Sequence, residues 1–545
     1  MKSSWVVSLC VLLTAEWSLA LKKFPPGFKF GAATSSYQVE GAWNVSDKGE
    51  SIWDRLTHQH PNTIAGGATG DVACNSYYDW RKDVEVAAEM GLHFYRFSIS
   101  WPRLLPTGLI DKISADGIRY YDELIDGLLE KGIEPVVTLY HWDLPQRLQY
   151  LGGWTNPYVT DWFADYSRAA YRLFGDRVKT WITLNEPMVA CDLAFNTGFH
   201  APSVKDPEFA NYLCAKNMLV AHAKAWRIYD EEFKPTYHGK VGLTNQLFWF
   251  EPNTEQDEEL AELVRQYMTG IYSHAIFTKE GGWPPQLELI IAQKSKEQGF
   301  ARSRLPAFTQ EEIDLIRGTY DFSGVNYYTS RTVRKAVVGE AIGSWPLGDG
   351  AVDLDAVMGV REDWRKAASS WFWVYPQGLR KKLAWLKKNY GDIEVFITEN
   401  GISTFSADLD DPVRVNYFRN HLEQVWLAIN EDGVNVTGYT AWTMMDNFEW
   451  ADGYSLKFGL YSVDPDDEKL TRVPRSSAKY YAAVIRAHSH EVTPKYSADE
   501  LYSAVLFYTP LPVIVVVAVA LVVAYPHAKK LTAEHRRLLN VPNAF

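Results

Sequence analysis

Eight apolar or β-branched runs, at 28–39, 94–101, 135–141, 181–184, 240–250, 321–328, 395–398 and 437–443, punctuate this chain, with amphipathic stretches between most of them. At 120–131, 157–174, 213–233, 376–389 and 413–429 the apolar residues recur every three or four positions, the period that turns one stripe of a helix toward a core. Strand and helix in alternation leave few solutions. Parallel strands need helical crossovers, and a parallel sheet must be covered on both faces. A closed (β/α)8 barrel meets both demands. A doubly wound open sheet is the alternative, but no Gly-x-Gly-x-x-Gly turn follows an early strand. The expected fold is therefore α/β, a single (β/α)8 TIM barrel over residues 21–490. That is longer than the usual roughly 100–200 residues per domain, as barrels commonly are.

The two ends have a different composition. Lys2, an apolar run over 5–13 and the small residues Ser18 and Ala20 read as a signal peptide over 1–20, cleaved after Ala20. After a juxtamembrane linker at 491–502, the stretch 503–525 carries no charge. Its length matches a hydrocarbon core of about 30 Å, although Pro510 and Pro512 weaken its first turns. His527, Lys529, Lys530, His535, Arg536 and Arg537 follow, so 503–525 is expected to be a transmembrane helix and 526–545 a basic cytosolic tail. The expected protein is a secretory-pathway, single-pass type I membrane protein with its globular domain extracellular or lumenal. Asn44 and Asn435 open glycosylation sequons that suit this route. Of the four cysteines, Cys10 falls in the signal peptide, leaving at most one disulfide and one free thiol. Cys191 with Cys214 is the favoured pair, since both lie in one loop-and-helix region, and the cysteine spacing fits no zinc motif.

Charge narrows the partners. With 55 basic and 67 acidic residues the net charge is −12, which argues against nucleic acid. The 21 Trp and 31 Tyr supply more flat apolar surface than a core needs, suited to stacking on flat or sugar-like ligands.

In a barrel of this kind functional groups gather at the carboxyl ends of the strands. Strand one finishes with Gln38 and Glu40, strand two carries Arg96, and strand three ends at His141 and Trp142. Strand four ends at Asn185 and Glu186, strand six at Asn326 and Tyr328, strand seven at Glu399, and strand eight runs into Trp442, Glu449 and Trp450. One such residue is usually packing; the same position filled on seven of eight strands is a site. Glu186 and Glu399 form a carboxylate pair suited to acetal hydrolysis. One acid protonates the leaving oxygen, and one anion meets the oxocarbenium charge. Separations of about 5–5.5 Å give retention and about 6.5–9.5 Å inversion. Arg96 and the Tyr328 hydroxyl are placed to keep one carboxylate ionised, while the other sits beside the neutral amide of Asn185.

The motifs Thr183-Leu-Asn-Glu-Pro187, Ile397-Thr-Glu-Asn-Gly401, Tyr37-Gln-x-Glu-Gly41, Tyr95-Arg-Phe-Ser-x-Ser-Trp101, His141-Trp-Asp-x-Pro145 and Asp446-Asn-Phe-Glu-Trp450 resemble, in order, those of the family 1 glycoside hydrolases. The resemblance covers roughly 24–487. It implies a retaining β-glycosidase with no cofactor or metal, acting on a small-molecule or oligosaccharide β-glycoside such as a β-glucoside or β-galactoside, O-linked or S-linked. Glu186 would be its acid/base and Glu399 its nucleophile. Arg96 and Tyr328 resemble the pair that orients the nucleophile, with Asn326 beside them. Asn185 would hold the sugar 2-hydroxyl. Gln38, His141, Glu449 and Trp450 would ring the glycone over a Trp442 floor, with Trp371 as the aglycone platform. Glu449 would repel a 6-phosphate. The basic residues around 331–335 and 361–366 read as solvated charges. Aglycone, oligomeric state and the choice among glucose, galactose and fucose stay open. A catalytically idle, klotho-like binding protein or co-receptor is the alternative, disfavoured because both glutamates are present.

Overall fold

The computed structural model describes residues 23–343 and 350–488. Eight strands close a barrel: β1 (Lys29–Ala33), β2 (Phe94–Ser98), β3 (Glu134–Tyr140), β4 (Thr180–Asn185), β5 (Lys240–Gln246), β6 (Phe322–Asn326), β7 (Val395–Asn400) and β8 (Val436–Trp442). Each pairs in parallel with its neighbours in sequence, and β8 returns to β1 with Gly438 opposite Lys29, so the sheet has no free edge. Amphipathic helices sheathe it, among them α1 (Ser76–Met90), α2 (Ala115–Glu130), α3 (Val159–Phe174), α4 (Ala210–Ile228), α5 (Pro376–Tyr390), α6 (Pro412–Asn430) and α7 (Ser476–His488). The eightfold alternation is thus a (β/α)8 barrel, as its pattern requires.

The barrel interior is layered. Toward the amino-terminal ends of the strands, Phe94, Val136, Ile182, Phe322 and Phe396 form an apolar cluster of their own, apart from the main core. Three benzyl groups fit because facing strands give up a side chain: a Cβ on Gly31 would sit 2.3 Å from the Phe94 ring, and one on Gly438 2.6 Å from the Phe396 ring. Above this plug the interior turns polar. Arg96 Nε donates to Thr138 Oγ1 at 3.1 Å, Thr244 Oγ1 donates to Thr398 Oγ1 at 3.2 Å, and Thr398 Oγ1 to Asn326 Oδ1 at 2.7 Å.

Several runs differ from their expected bounds. The run at 240–250 breaks after Gln246. Trp249–Pro252 is a separate strand in an outer four-stranded sheet with Ser330–Lys335, Ala356–Gly359 and Gly350–Ala351. Hydropathy misses the break because Leu247 and Phe248 stay buried where the chain passes from barrel to outer sheet. The run at 28–39 leaves the barrel after Ala33 and ends in the buried helical turn Ser36–Val39, whereas β7 extends two residues beyond its expected end. The signal peptide expected at 1–20, the linker, the span at 503–525 and the tail lie outside the described residues. Among the described residues, no helix is long and apolar enough to cross a membrane.

Cys191 and Cys214 are bonded, Cα atoms 5.6 Å apart, tying the turn of helix after β4 (Pro187–Cys191) to α4; Cys74 is a buried free thiol. The bond closes a loop of 23 residues. Removing it through paired Cys191→Ser and Cys214→Ser changes is expected to lower unfolding free energy by about 3 kcal/mol by the chain-entropy relation, read from urea denaturation with the native far-UV spectrum retained.

Candidate active site

Both catalytic-candidate strands lose their regular register just before the glutamate. On β7, Ile397 faces Val325 of β6 but Glu399 faces Asn326, so three β7 residues span two of β6. On β4, Ile182 faces Gly242 of β5 and Asn185 faces Thr244, a slip of one residue in the same sense. Side chains on a regular strand alternate between faces, so Thr398 and Glu399, or Asn185 and Glu186, would point apart. A bulge re-aims the second of each pair. Glu186 also adopts the left-handed backbone region (φ 48°, ψ 64°), a conformation a non-glycine residue holds at a cost of order 1–3 kcal/mol. Its N–H donates to the Thr244 carbonyl at 2.8 Å, and Pro187, whose missing N–H is harmless at a helix start, begins the next turn.

Arg96 is the hub. Its Nη1 donates to Glu399 Oε1 at 2.7 Å and to the Thr398 carbonyl at 2.8 Å, and its Nη2 donates to Asn185 Oδ1 at 2.7 Å. The Tyr328 hydroxyl donates to Glu399 Oε2 at 2.6 Å. Asn326 Nδ2 bridges Asn185 Oδ1 (3.1 Å) and Glu186 Oε1 (2.8 Å), so one hydrogen-bonded chain links the two carboxylates. Since a guanidinium only donates, Asn185 must turn its oxygen toward Arg96 and its NH2 toward His141 Nε2, at 3.1 Å. That assigns the His141 proton to Nδ1, which has no hydrogen-bond partner among the described residues.

Glu186, Glu399, Tyr328, His141, Trp371, Trp442, Glu449 and Trp450 line one pocket of about 980 Å³, counting its open mouth. The His141 ring lies nearly parallel to those of Trp442 and Trp450, centroids 5.7 and 6.0 Å away. Arg96, Asn185, Asn326 and Gln38 stand behind this wall. Gln38 Nε2 donates to the Phe448 carbonyl at 2.8 Å and, more weakly, to Glu449 Oε2 at 3.4 Å. Apart from Glu40, every strand-end residue singled out in the sequence, with Trp371, therefore belongs to the pocket wall or its support. Glu40, expected beside Gln38, does not: it turns away to pair with Arg103 and accept from Tyr121, both at 2.7 Å. Arg331 is no solvated charge either. It is buried, donates to the Trp371 carbonyl at 2.5 Å and lies over the Trp373 ring. The outlying predicted features are consistent with exposure: Asn44 lies in a surface turn and Asn435 just before β8, both exposed.

Several lining residues were not foreseen. Gln246 ends β5, the one strand with no assigned polar end, and was hidden by the apolar run that continues past it. Val189, Leu193 and Asp452 come from short helical turns and Phe199, His200, Phe248, Ser370 and Phe458 from loops, all too short or irregular for periodicity to mark them.

Burial and the facing Glu399 hold the Glu186 carboxyl well above the usual carboxylate range. Burial lifts Glu399 too, but Arg96 and the Tyr328 hydroxyl work against it, so Glu399 ionises first. Burial, then Arg96, keeps His141 neutral, and burial takes His200 down to about 3. Glu449 is pushed up to about 8 by burial, Asp452 and Glu399.

Two buried glutamates of unequal acidity, facing an aromatic pocket at the carboxyl ends of a (β/α)8 barrel, define a glycoside hydrolase. The chain belongs to Glycosyl hydrolase family 1, whose model it matches over residues 20–490, and it is an enzyme of the retaining β-glucosidase type. Myrosinase 1 of Brevicoryne brassicae is 43% identical over 467 residues, 85% of this chain and 98% of that protein. The solved aphid myrosinase superposes with a TM-score of 0.81 at 43% identity, covering 85% of this chain and 99% of that one. A rice β-glucosidase, solved in covalent complex with glucose, superposes with a TM-score of 0.78 at 36% identity, covering 85% and 98%.

The raised Glu449 has a measurable consequence. Between its ordinary pKa of 4.5 and about 8 the folded protein holds a proton there that the unfolded chain releases. Its contribution to stability is thus full below about 4.5 and is lost as pH rises through about 8. The Glu449→Gln variant is expected to show a shallower decline of Tm from pH 5 to 9 than wild type; superimposable curves would exclude this origin.

Proposed function

We propose that the protein hydrolyses β-glucosides by double displacement, with Glu399 as nucleophile and Glu186 as acid and then base. One observation carries the assignment: Arg96 and Tyr328 clasp both oxygens of Glu399, while among the described residues the Glu186 carboxyl has only the neutral amide of Asn326 within hydrogen-bonding distance. An anion suits the first environment and a proton the second. In the first step Glu186 gives its proton to the glycosidic oxygen as a Glu399 oxygen closes on the anomeric carbon. The aglycone leaves, and a glycosyl ester remains on Glu399. The rice relative's covalent complex with glucose supports such an intermediate. Esterification removes the Glu399 charge that holds the Glu186 pKa up, so Glu186 becomes the stronger acid. Its carboxylate then takes a proton from water, which releases the sugar and restores Glu399.

His141, with its unpaired Nδ1–H, the Trp442 and Trp450 rings and Glu449 are suited to gripping the sugar's hydroxyls and faces, and Asn185 to holding the 2-hydroxyl. Glucose and galactose fit these groups; a 6-phosphate, which would find no lysine or arginine among the described lining residues, does not. The signal-peptide-like sequence at 1–20, the uncharged stretch at 503–525 and the exposed Asn44 and Asn435 are the support for reading it as a secretory-pathway enzyme anchored by its carboxyl-terminal segment, with the barrel outside the cytosol.

Two variants test the roles. Glu186→Ala is expected to slow alkyl glucosides far more than glucosides of acidic phenols, which leave without a proton, and azide should restore part of the rate by attacking the intermediate. Equal loss on both substrates without azide rescue would reject the assignment. Tyr328→Phe removes a hydrogen bond to the ionised form of Glu399, so the acid limb of kcat/KM is expected to move to higher pH, with kcat down by about 10-fold or more.

A further inference from the structure

We infer that the outer half of the pocket takes an uncharged, apolar aglycone and rejects one that bears an anion such as a sulfate. The inference rests on the glycosidase reading above and concerns the leaving group alone. Above the carboxylates the wall is made by Val189, Leu193, Phe199, Phe248, Trp371 and Phe458. Trp371 is a fixed platform. It stacks on Phe372 (centroids 5.2 Å apart, planes 13° apart) and meets Tyr328 and Phe248 edge to face, at 5.9 and 6.4 Å. The buried Arg331 holds its carbonyl.

Charge gives the other half of the argument. Glu186, Glu399, Glu449 and Asp452 all face this pocket, and among the described residues no lysine or arginine lines it. The stretch 344–349 holds no basic residue in sequence. The two histidines of the wall are buried and neutral, as described above. Of the basic side chains at 331–335 and 361–366, all but the exposed Arg365 are committed elsewhere. Arg331 serves the Trp371 and Ser330 carbonyls and the Trp373 face, and Arg334 pairs with Glu340 at 2.6 Å. Lys335 reaches Asp355 at 3.4 Å, Arg361 pairs with Asp363 at 3.0 Å, and Lys366 lies over the outer Trp373 ring at 5.3 Å. A sulfate carried into this slot would lose its water, meet no counter-charge among the described lining residues and stand near Glu399, the carboxyl that ionises first. An alkyl or aryl group would lose nothing and cover the Trp371 face.

The test compares 4-ethylphenyl β-glucoside with its analogue ending in a sulfonate on the same ethyl chain. The two leaving groups have nearly equal acidity, so kcat/KM reports the outer pocket. With the full-length chain in neutral detergent, the uncharged glucoside is expected to be preferred by at least about 100-fold at low salt, a typical size for like-charge exclusion. Raising salt from about 20 mM to about 500 mM should shrink that ratio several-fold, because screening weakens repulsion. Trp371→Ala should raise KM for the ethylphenyl glucoside with inhibition by free glucose unchanged. A ratio below about 100 at low salt, or one that salt leaves untouched, overturns the inference, as does a parallel loss of glucose affinity in Trp371→Ala. Failure of the glycosidase reading itself looks different: neither glucoside is turned over, and Glu399→Gln matches wild type.

Discussion

The Arg96 guanidinium is the interaction on which the site depends. It sits fully buried inside the barrel, above an apolar plug, where an unpaired cation would be untenable. Four acceptors from three other strands answer it: Glu399 and the Thr398 carbonyl, Asn185, and Thr138. Because the fork is planar and rigid, satisfying it fixes where β3, β4 and β7 present those groups relative to β2. Removing one partner of such a buried pair typically costs about 3–5 kcal/mol, so the geometry that stabilises the barrel interior is the geometry that ionises Glu399. Among the described residues the Glu186 carboxyl reaches the same network only through the neutral amide of Asn326, and the two glutamates differ in acidity for that reason.

Most of this site was legible in the sequence because strand ends are where polar residues interrupt apolar runs, and such interruptions survive any error in strand length. Glu186, Glu399, Arg96, Asn326 and Trp442 needed only that reading and the family's motif order. Gln246 was lost to the opposite circumstance: Leu247 and Phe248 keep the run apolar while the chain leaves one sheet for another. Glu40 and Arg331 mark another boundary. Sequence gives the charge of a side chain but not the face it turns to, and each is satisfied by a partner more than 30 residues away. Residues of loops and short turns, such as His200 and Asp452, carry no periodic signal at all.

The register slips on β4 and β7 lie beyond any reading by alternation. By the rule of alternate faces, Thr398 inside the barrel puts Glu399 among the helices, and Asn185 inside does the same to Glu186. The structure has both members of each pair on the inner side, at the cost of irregular pairing and a strained Glu186. A regular barrel with the identical composition would be better hydrogen-bonded and inert. Toward β5 and β6 the irregularity is confined to the last residues of the two strands, while toward β8 the pairing of β7 slips a second time, between Val395 and Phe396.

The aromatic plug has a kinetic meaning as well as a packing one. With Phe94, Phe322 and Phe396 filling the floor and Gly31 and Gly438 giving them room, the barrel is closed beneath the pocket. On the proposed mechanism a glycoside would enter sugar first. The aglycone, nearest the mouth, departs first, and the space it leaves is the route by which water reaches the esterified sugar. Attack therefore comes from the side the aglycone vacated, which is the stereochemical condition for retention, and the sugar is the last product out. Free sugar should then compete with incoming substrate for the free enzyme, a consequence fixed by three phenyl rings that touch neither reactant.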